Sequence, residues 1–240
     1  MGVTRLAQER DIVKIRDIAG RAGYIDYISD NVEEMIRKSG LFVYDDEGIK
    51  GFLQANFRKM CWISAIRVDP DFRRHGVAQR MVENIEEIGA NRGCISFGAL
   101  VTTDNVASQN MFKKLHYRVE ESFVSVYGMV DGLKEEENFP MEKSNFLLDW
   151  EIWDREELES QNGRVRIYRD RNGNIYCNMN NTYHLLKSGS LIEIVEKNQF
   201  LSISNKMYEP HKTVGVNNEN KWTFNNENKW TFDFFKKEKS

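Results

Sequence analysis

The chain has 240 residues, a net charge of −3, and 40% apolar residues. This apolar content is enough for a folded core and excludes a disordered chain. No apolar run approaches the roughly 20 residues that span a bilayer, so we expect no membrane partner. Basic and acidic residues are nearly balanced, 34 against 37, and this disfavours a protein that binds nucleic acid through bulk phosphate neutralisation.

The cysteines give no sign of a metal or disulfide framework. Cys61, Cys94 and Cys177 are odd in number and form no CxxC pair. The first ten residues are charged and lack the apolar segment of a secretion signal. We therefore expect a cytoplasmic protein without a metal site, in which Cys61 and Cys94 are buried as small apolar side chains.

Two helices are predicted first, followed by a group of strands. Apolar spacing of three and four residues indicates a helix over 11–19, and Asp30 with Glu33 forms a capping-box pattern that starts a second helix. Strands are predicted at 41–44, 49–57 and 60–68. The turns between these strands are short, which predicts an antiparallel meander.

A crossover is predicted next. An amphipathic helix begins after Gly76, and the apolar segment 94–101 is typical of a buried central strand. A strand that follows a crossover helix lies parallel to the strand before it, so 94–101 is expected to lie parallel to 60–68. A further helix over 105–115 and a strand from 117 to about 130 complete this region.

The C-terminal part has a different pattern. We interpret 1–130 as the first domain, the polar segment 131–144 as a linker, and 145–240 as a smaller β-rich unit whose core includes Trp150 and Trp153. Strands are predicted at 165–168, 175–177, 191–195 and 200–203, with Asn172-Gly173 as a hairpin turn. Residues 217–224 recur unchanged at 225–232, which we interpret as a duplication in a terminal tail.

The clearest chemical signal is the basic loop between strand 60–68 and its following helix. It comprises Arg73, Arg74, His75, Gly76, Val77 and Ala78. The first turn of a helix presents unpaired N–H groups and positive dipole charge, and Gly76 permits close approach of a ligand. These features predict a diphosphate site. Neither a Walker loop nor a GxGxxG fingerprint is present.

Two motifs resemble one known family. Residues 73–78 resemble the [Q/R]-x-x-G-x-[G/A] coenzyme A loop of the GNAT superfamily of N-acetyltransferases, and residues 105–117 resemble its later N-x-x-[A/S]-x-x-[L/M]-[Y/F] helix. The resemblance covers about 3–130. It implies an α/β (α+β) fold with a mixed, mostly antiparallel sheet flanked by helices, beside the smaller β-rich unit.

The resemblance also implies a cofactor, acetyl-CoA, and a role for each matched residue. Backbone groups of Ile66 and Val68 are expected to pair with the pantetheine arm like an added strand. Main-chain N–H groups from Arg73 to Ala78 are expected to hold the diphosphate. Asn105 is expected to hydrogen-bond the pantetheine region, with Ser108 and Phe112 along the cofactor.

Two departures from the family leave alternatives open. Phe112 stands where many relatives have a tyrosine that protonates the departing thiolate, and strand 60–68 lacks the glutamate that some relatives use as a base. The first hypothesis is an N-acetyltransferase in which a primary amine, of a small molecule or a protein, attacks the thioester directly. The rival hypothesis is a weakly active or inactive CoA-binding module whose C-terminal unit recruits a protein. A homodimer stays open under both.

Overall fold

The computed structural model describes two compact units of the chain. The described residues are 2–23, 27–38, 40–125, 133–136, 145–148, 151–161, 165–169, 173, 175–179, 182–187, 201–202 and 230–239. Unit 1 comprises Met1–Ala99, Ala107–Arg118 and Phe235–Ser240, and unit 2 comprises Leu100–Val106 and Val119–Phe234. The last six residues belong to the first unit, whereas the sequence analysis places them in the β-rich unit 145–240.

The helices and strands are numbered in chain order. The helices are α1 (Ile12–Arg21), α2 (Ile28–Arg37), α3 (Val77–Asn91), α4 (Val106–Lys114) and α5 (Arg155–Glu159). The strands are β1 (Val3–Leu6), β2 (Leu41–Asp45), β3 (Ile49–Phe57), β4 (Met60–Val68), β5 (Ser96–Thr102), β6 (Arg118–Ser125), β7 (Lys134–Glu136), β8 (Asn145–Leu148), β9 (Glu151–Asp154), β10 (Arg166–Arg169), β11 (Ile175–Met179), β12 (Thr182–Lys187), β13 (Leu201–Ser202) and β14 (Trp230–Glu238). None of the described helices is long and apolar enough to cross a membrane.

The sheet of unit 1 is mixed and mostly antiparallel, as predicted. Its strands follow the order β1-β2-β3-β4-β5-β14. The pairs β1–β2, β2–β3 and β3–β4 are antiparallel, whereas β4 and β5 are parallel. The meander and the crossover are therefore confirmed. The sequence prediction missed β1, which covers the outer edge of β2.

Helices α1 and α2 pack on the sheet through apolar residues at helical spacing. Ile15 and Ile18 of α1 and Val32 of α2 are fully buried, and each buried aliphatic side chain contributes about 1.5–3 kcal/mol relative to exposure. The capping box predicted at Asp30 is not formed, because α2 begins two residues earlier, at Ile28. Ile28 is fully buried, so packing extends the helix past the expected cap.

Helix α3 covers the sheet near the paired ends of β4 and β5. Its buried face consists of Val77, Met81, Val82, Ile85 and Gly89. A Cβ atom on Gly89 would lie 2.9 Å from the Phe97 ring and 3.4 Å from Cys61 Cβ. Glycine at this position therefore permits the close approach of α3 to the sheet.

The final strand returns to unit 1 and completes its core. Phe235 of β14 is fully buried, and its ring stacks on Phe112 of α4 with centroids 5.7 Å apart. Lys237 Nζ lies 2.6 Å from Glu86 Oε2 on α3, and Lys239 N donates to Ile95 O. The end of the chain, interpreted from the sequence as a duplicated tail, is thus a structural strand. Most of the repeat, at 217–229, lies outside the described residues.

Unit 2 is rich in strands, and part of the predicted linker belongs to it. Its larger sheet includes β6-β13-β12-β11-β10-β7, and β8 pairs with β9. The predicted hairpin is confirmed, since β10 and β11 are antiparallel with Gly173 at φ +79° between them. Residues 134–136, expected in the linker, form β7, where Glu136 accepts a 2.6 Å bond from Arg169 Nε.

One apolar cluster is formed by the described residues of unit 2. It contains Leu158, Ile167, Ile175 and Cys177, with Trp153 packed against it. The expected packing role of Trp153 is therefore confirmed. Trp150 and the strand predicted at 191–195 lie outside the described residues.

Arg5 joins β1 to the rest of unit 1 through two carboxylates. Its Nη1 lies 2.7 Å from Asp11 Oδ2, and its Nη2 lies 2.8 Å from Asp45 Oδ2. Burial alone would raise the pKa of Asp11, but bonds from Arg5 and from the Gln8 N–H outweigh it and lower that pKa. The folded state therefore favours the ionised Asp11 carboxylate.

This interaction predicts a stability loss in acid. Because the folded pKa of Asp11 is depressed, its stabilising contribution is present above the unfolded pKa, which is about 3.9 for aspartate, and is lost as pH falls through the folded value. We expect the free energy of unfolding of wild type to exceed that of Asp11→Asn at pH 7 and the gap to narrow below about pH 4. Urea unfolding of both proteins from pH 7 to pH 3 measures the gap; a constant gap would contradict the prediction.

Candidate functional site

Strand β4 is interrupted by a bulge before its C-terminal end. On β3, Gln54 pairs with Ser64 and Phe52 pairs with Arg67. Two residues of β4, Ala65 and Ile66, therefore lie opposite the one β3 residue between Phe52 and Gln54. Ala65 has φ +52°, a left-handed conformation. Such a conformation costs a non-glycine residue about 1–3 kcal/mol and occurs most often at functional sites. The bulge changes the direction of the strand just where it leaves β5.

The C-terminal half of β4 presents a free strand edge. Its ladder with β5 consists of Met60–Trp62 opposite Ser96–Gly98, and from residue 63 onward β4 has no partner on that side within the described chain. Asp69 N donates to Lys50 O, so by alternation the backbone groups of Ile66 and Val68 point away from β3. The carbonyl oxygens of Ile66 and Val68 contact Arg67 Nη1 at 3.1 Å and Arg73 Nε at 3.5 Å. A carbonyl oxygen can accept a second hydrogen bond, so an extended polar ligand can still pair with this edge.

The loop after β4 ends in an exposed turn that opens α3. Gly76, the N-cap of α3, has φ +75°, and Arg74 has φ +66°. The first bond of the helix runs from Arg80 N to Gly76 O at 3.0 Å. Among the described residues, no acceptor is paired with the main-chain N–H groups of residues 74–78. We call these N–H groups the amide cradle; they carry the positive end of the α3 dipole.

The basic side chains around the amide cradle are positioned differently from one another. Arg73 turns back from the cradle: its Nη2 donates to Ala22 O at 3.2 Å and its Nε lies 3.5 Å from Val68 O. Arg80 Nη2 donates to His75 O. Arg74 and His75 are exposed. Arg73 therefore joins the loop to the end of α1, a contact that no sequence motif indicates.

The residues expected along the cofactor are not all accessible. Phe112 is 2% exposed, and its ring packs against Phe235 and Tyr117, with centroids 5.7 Å and 4.9 Å away. The ring of Phe112 is thus enclosed by core side chains, and its expected contact with the cofactor stays a prediction. Ser108 is half-buried on α4, and Asn105 belongs to unit 2, where its N–H donates to Thr102 O.

The two buried thiols Cys61 and Cys94 are in surroundings that do not favour a nucleophile. Cys61 and Cys94 are 0% and 1% exposed, and burial raises the pKa of each. A thiol with a raised pKa stays protonated and is a poor nucleophile. Their expected role as small apolar side chains is confirmed, although Cys94 precedes β5 instead of lying within it.

Comparison with known proteins finds a family model that matches part of the chain. Residues 11–117 match the model of the acetyltransferase (GNAT) family. Acetyltransferase SG1711 of Sodalis glossinidius is 34% identical over 55 residues, which are 23% of this chain and 39% of that protein. The naa20 catalytic subunit of the Schizosaccharomyces pombe N-terminal acetyltransferase B complex is 30% identical over 81 residues, 34% of this chain and 44% of that protein. The match thus spans about two fifths of these relatives' length.

One solved structure is similar over nearly the whole chain. A candidate acetyltransferase from Thermoplasma acidophilum aligns with a TM-score of 0.63 over 99% of this chain and 100% of its own length. The two sequences are 12% identical. At this identity the likeness describes the fold alone, and the fold that it supports is the mixed, mostly antiparallel sheet flanked by helices.

Proposed function

We propose that this protein, in which residues 11–117 match the GNAT acetyltransferase family model, binds acetyl-CoA and transfers its acetyl group to a primary amine. The observation that carries the proposal is the amide cradle at residues 74–78. Within the described part of the chain, the N–H groups of this exposed loop at the positive end of α3 are hydrogen-bonded to no acceptor. This arrangement suits a diphosphate better than any other common ligand group.

The rest of the site fits the same ligand. The free edge of β4 at Ile66 and Val68 offers N–H and C=O groups at the spacing that an extended pantetheine arm pairs with. The described pairing of β4 with β5 ends at Trp62 and Gly98, and we propose that main-chain N–H groups at the Ala65 bulge point into the gap beyond it. An N–H donor in such a gap stabilises negative charge on a carbonyl oxygen.

The chemistry supplied by acetyl-CoA is an acetyl group activated as a thioester. The protein's own task is then to orient the acceptor amine and to let it lose a proton, since an alkyl ammonium has a pKa of about 10.4 and is not a nucleophile. Strand β4 carries no acidic residue, so we propose water as the first proton acceptor in the gap. We assign no side chain as general base or general acid.

A second candidate function is favoured by Phe112. A phenylalanine buried in the core cannot protonate a leaving thiolate, which is the role of the tyrosine that many relatives carry there. The alternative is therefore a CoA-binding module with little or no turnover, whose unit 2 recruits a protein. A CoA thiol has a pKa near 8.5 by analogy with cysteine, so its thiolate leaves without strong acid assistance. For this reason we prefer the enzyme.

Thiol release from acetyl-CoA separates the two functions. We expect the full chain to bind CoA in calorimetry and to release free thiol faster when the right primary amine is present. The panel should contain small amines and peptides with free N-termini, because one similar protein is the catalytic subunit of an N-terminal acetyltransferase. CoA binding without amine-dependent release would favour the binding module, and absence of CoA binding would contradict both functions.

A further inference from the structure

The turn that leads into the amide cradle is built around one buried carboxylate. Asp69 is 1% exposed and stands between the end of β4 and the short 3-10 turn Pro70–Phe72. Its Oδ1 accepts the Asp71 N–H at 3.1 Å, and its main-chain carbonyl accepts the Phe72 N–H at 2.8 Å. Asp69 therefore stabilises the turn Pro70–Phe72, which leads the chain into residues 74–78.

The same carboxylate is held by two cations of α1. Lys14 Nζ lies 2.7 Å from Asp69 Oδ2, and Arg21 Nη1 lies 3.1 Å from Oδ1. Burial alone would raise the pKa of Asp69, but the bonds from Lys14 and from the Asp71 N–H, with the charge of Arg21, lower it. The carboxylate is thus ionised at neutral pH. It contacts α1 at two residues, Lys14 and Arg21, which are about two helical turns apart.

A third contact joins the loop to the end of the same helix. Arg73 Nη2 donates to Ala22 O, the C-cap carbonyl of α1. Asp69 and Arg73 lie on either side of the 3-10 turn, so both ends of the turn are fastened to α1. The N–H groups of the cradle begin at the next residue. We name this set of contacts, made by Asp69, Lys14, Arg21 and Arg73, the α1 brace.

We infer that Asp69 is a positioning residue for the diphosphate, acting through the α1 brace to hold the amide cradle in its binding geometry. The inference rests on the proposed function and deepens it. Donors that are already aimed at an anion bind it without a cost for ordering the loop. If the contacts of the α1 brace are lost, the N–H groups of the amide cradle are still present, but the loop no longer holds them in the geometry that binds the diphosphate.

Whether neutralising Asp69 strengthens or weakens CoA binding distinguishes a positioning role from a purely electrostatic one. Asp69 is a negative charge close to the loop that would hold a diphosphate. If it acted only through its charge, neutralising it would strengthen anion binding, because a repulsion is removed and two cations are released. If it positions the cradle, neutralising it weakens binding. The two accounts therefore predict opposite changes for one substitution.

The test is the affinity of the full chain for CoA, measured by calorimetry well below the unfolding midpoint of every variant. We expect Asp69→Asn to weaken CoA binding about tenfold, or about 1.4 kcal/mol. Asp71→Asn is the matched control: it removes the same charge from the same turn, but its carboxylate is 69% exposed and, among the described residues, pairs only with Arg21. We expect this control to stay within about twofold of wild type, since exposed ion pairs contribute little.

A second pair of variants tests the brace from the side of α1. Lys14→Met removes the closest partner of Asp69. Arg16→Met removes an equal charge from the same helix but loses contacts with α2 instead, at 2.6 Å to Glu33 and at 3.1 Å to Ser29 O. We expect about threefold weaker CoA binding for Lys14→Met and full recovery in Lys14→Arg, with Arg16→Met close to wild type. A role in folding alone would lower the unfolding midpoint without this pattern.

Each outcome supports or overturns the inference. Equal or tighter CoA binding by Asp69→Asn overturns it and leaves the proposed function in place. If Asp69→Asn fails to fold, the comparison of Lys14→Met with Arg16→Met decides, and equal affinities overturn it. If wild type binds no CoA, the proposed function and the inference fall together.

Discussion

Replacing Gly76 with glutamate is expected to weaken CoA binding by at least about a hundredfold, which is about 2.8 kcal/mol. The new carboxylate would stand at the N-cap of α3, beside the N–H groups that we assign to the diphosphate. Two unit charges about 4 Å apart repel by about 4 kcal/mol near a protein surface, more than the loss that we predict. Calorimetric titration with CoA measures the effect.

A matched control separates this repulsion from backbone strain. Gly76 has φ +75° and Gly93 has φ +90°, so glutamate strains both positions. A Cβ atom on Gly93 meets nothing within 4 Å, and on Gly76 it meets only Arg80, at an ordinary distance. Gly93→Glu, at the other end of α3, should therefore bind CoA as wild type does. Equal affinities in the two variants would show that the anion is held elsewhere.

Replacing Phe235 with alanine is expected to have the largest effect on stability. Phe235 is fully buried and stacks on Phe112, and removing a core phenylalanine costs about 3–5 kcal/mol. Since whole domains are stable by about 5–15 kcal/mol, this loss is a large part of the total. Urea unfolding followed by circular dichroism measures it.

The control for Phe235 lies three residues away on the same strand. Glu238 is 66% exposed, and its contact with Lys236 is a surface pair. We expect Glu238→Ala to change the unfolding free energy by no more than about 0.5 kcal/mol. If Phe235→Ala were as stable as Glu238→Ala, the final residues of the chain would not belong to the core of unit 1.

The elements that sequence reasoning predicted well are those with a strong local signal. The meander from β2 to β4 has apolar strands and short turns, and α3 has a glycine directly before an amphipathic run. The sequence predicts a helix that begins after Gly76, and Gly76 is its N-cap with a positive φ. Glycine suits this position because it tolerates the left-handed region. Local chain geometry decides these features, so the residues themselves are informative.

The elements that it missed depend on distant partners. Strand β1 has four residues and is fixed by pairing with β2 about 40 positions later. The repeat at 225–232 suggested a tail, but β14, which begins at Trp230, ends in the core of unit 1 through Phe235. Packing of Ile28 likewise moved the start of α2. Tertiary contacts, which a single sequence does not display, decide all three.

In the candidate site too, the sequence predicts the features with a local signal and misses those that depend on distant residues. The loop at 73–78 was predicted from its residue types and the helix that follows it. The bulge at Ala65, the contact of Arg73 with Ala22 and the enclosure of Phe112 were not. Each of these comes from a neighbour on another element. The motif therefore predicts the class of ligand, and the surrounding fold determines how the loop is held.

A crystal structure of the full chain grown with CoA tests the central claim most directly. We predict diphosphate oxygens within hydrogen-bonding distance of main-chain N–H groups among residues 74–78, and a pantetheine arm along the β4 edge at Ile66 and Val68. A diphosphate bound at any other place on the chain, or crystals that retain no CoA at saturating concentration, would contradict the account.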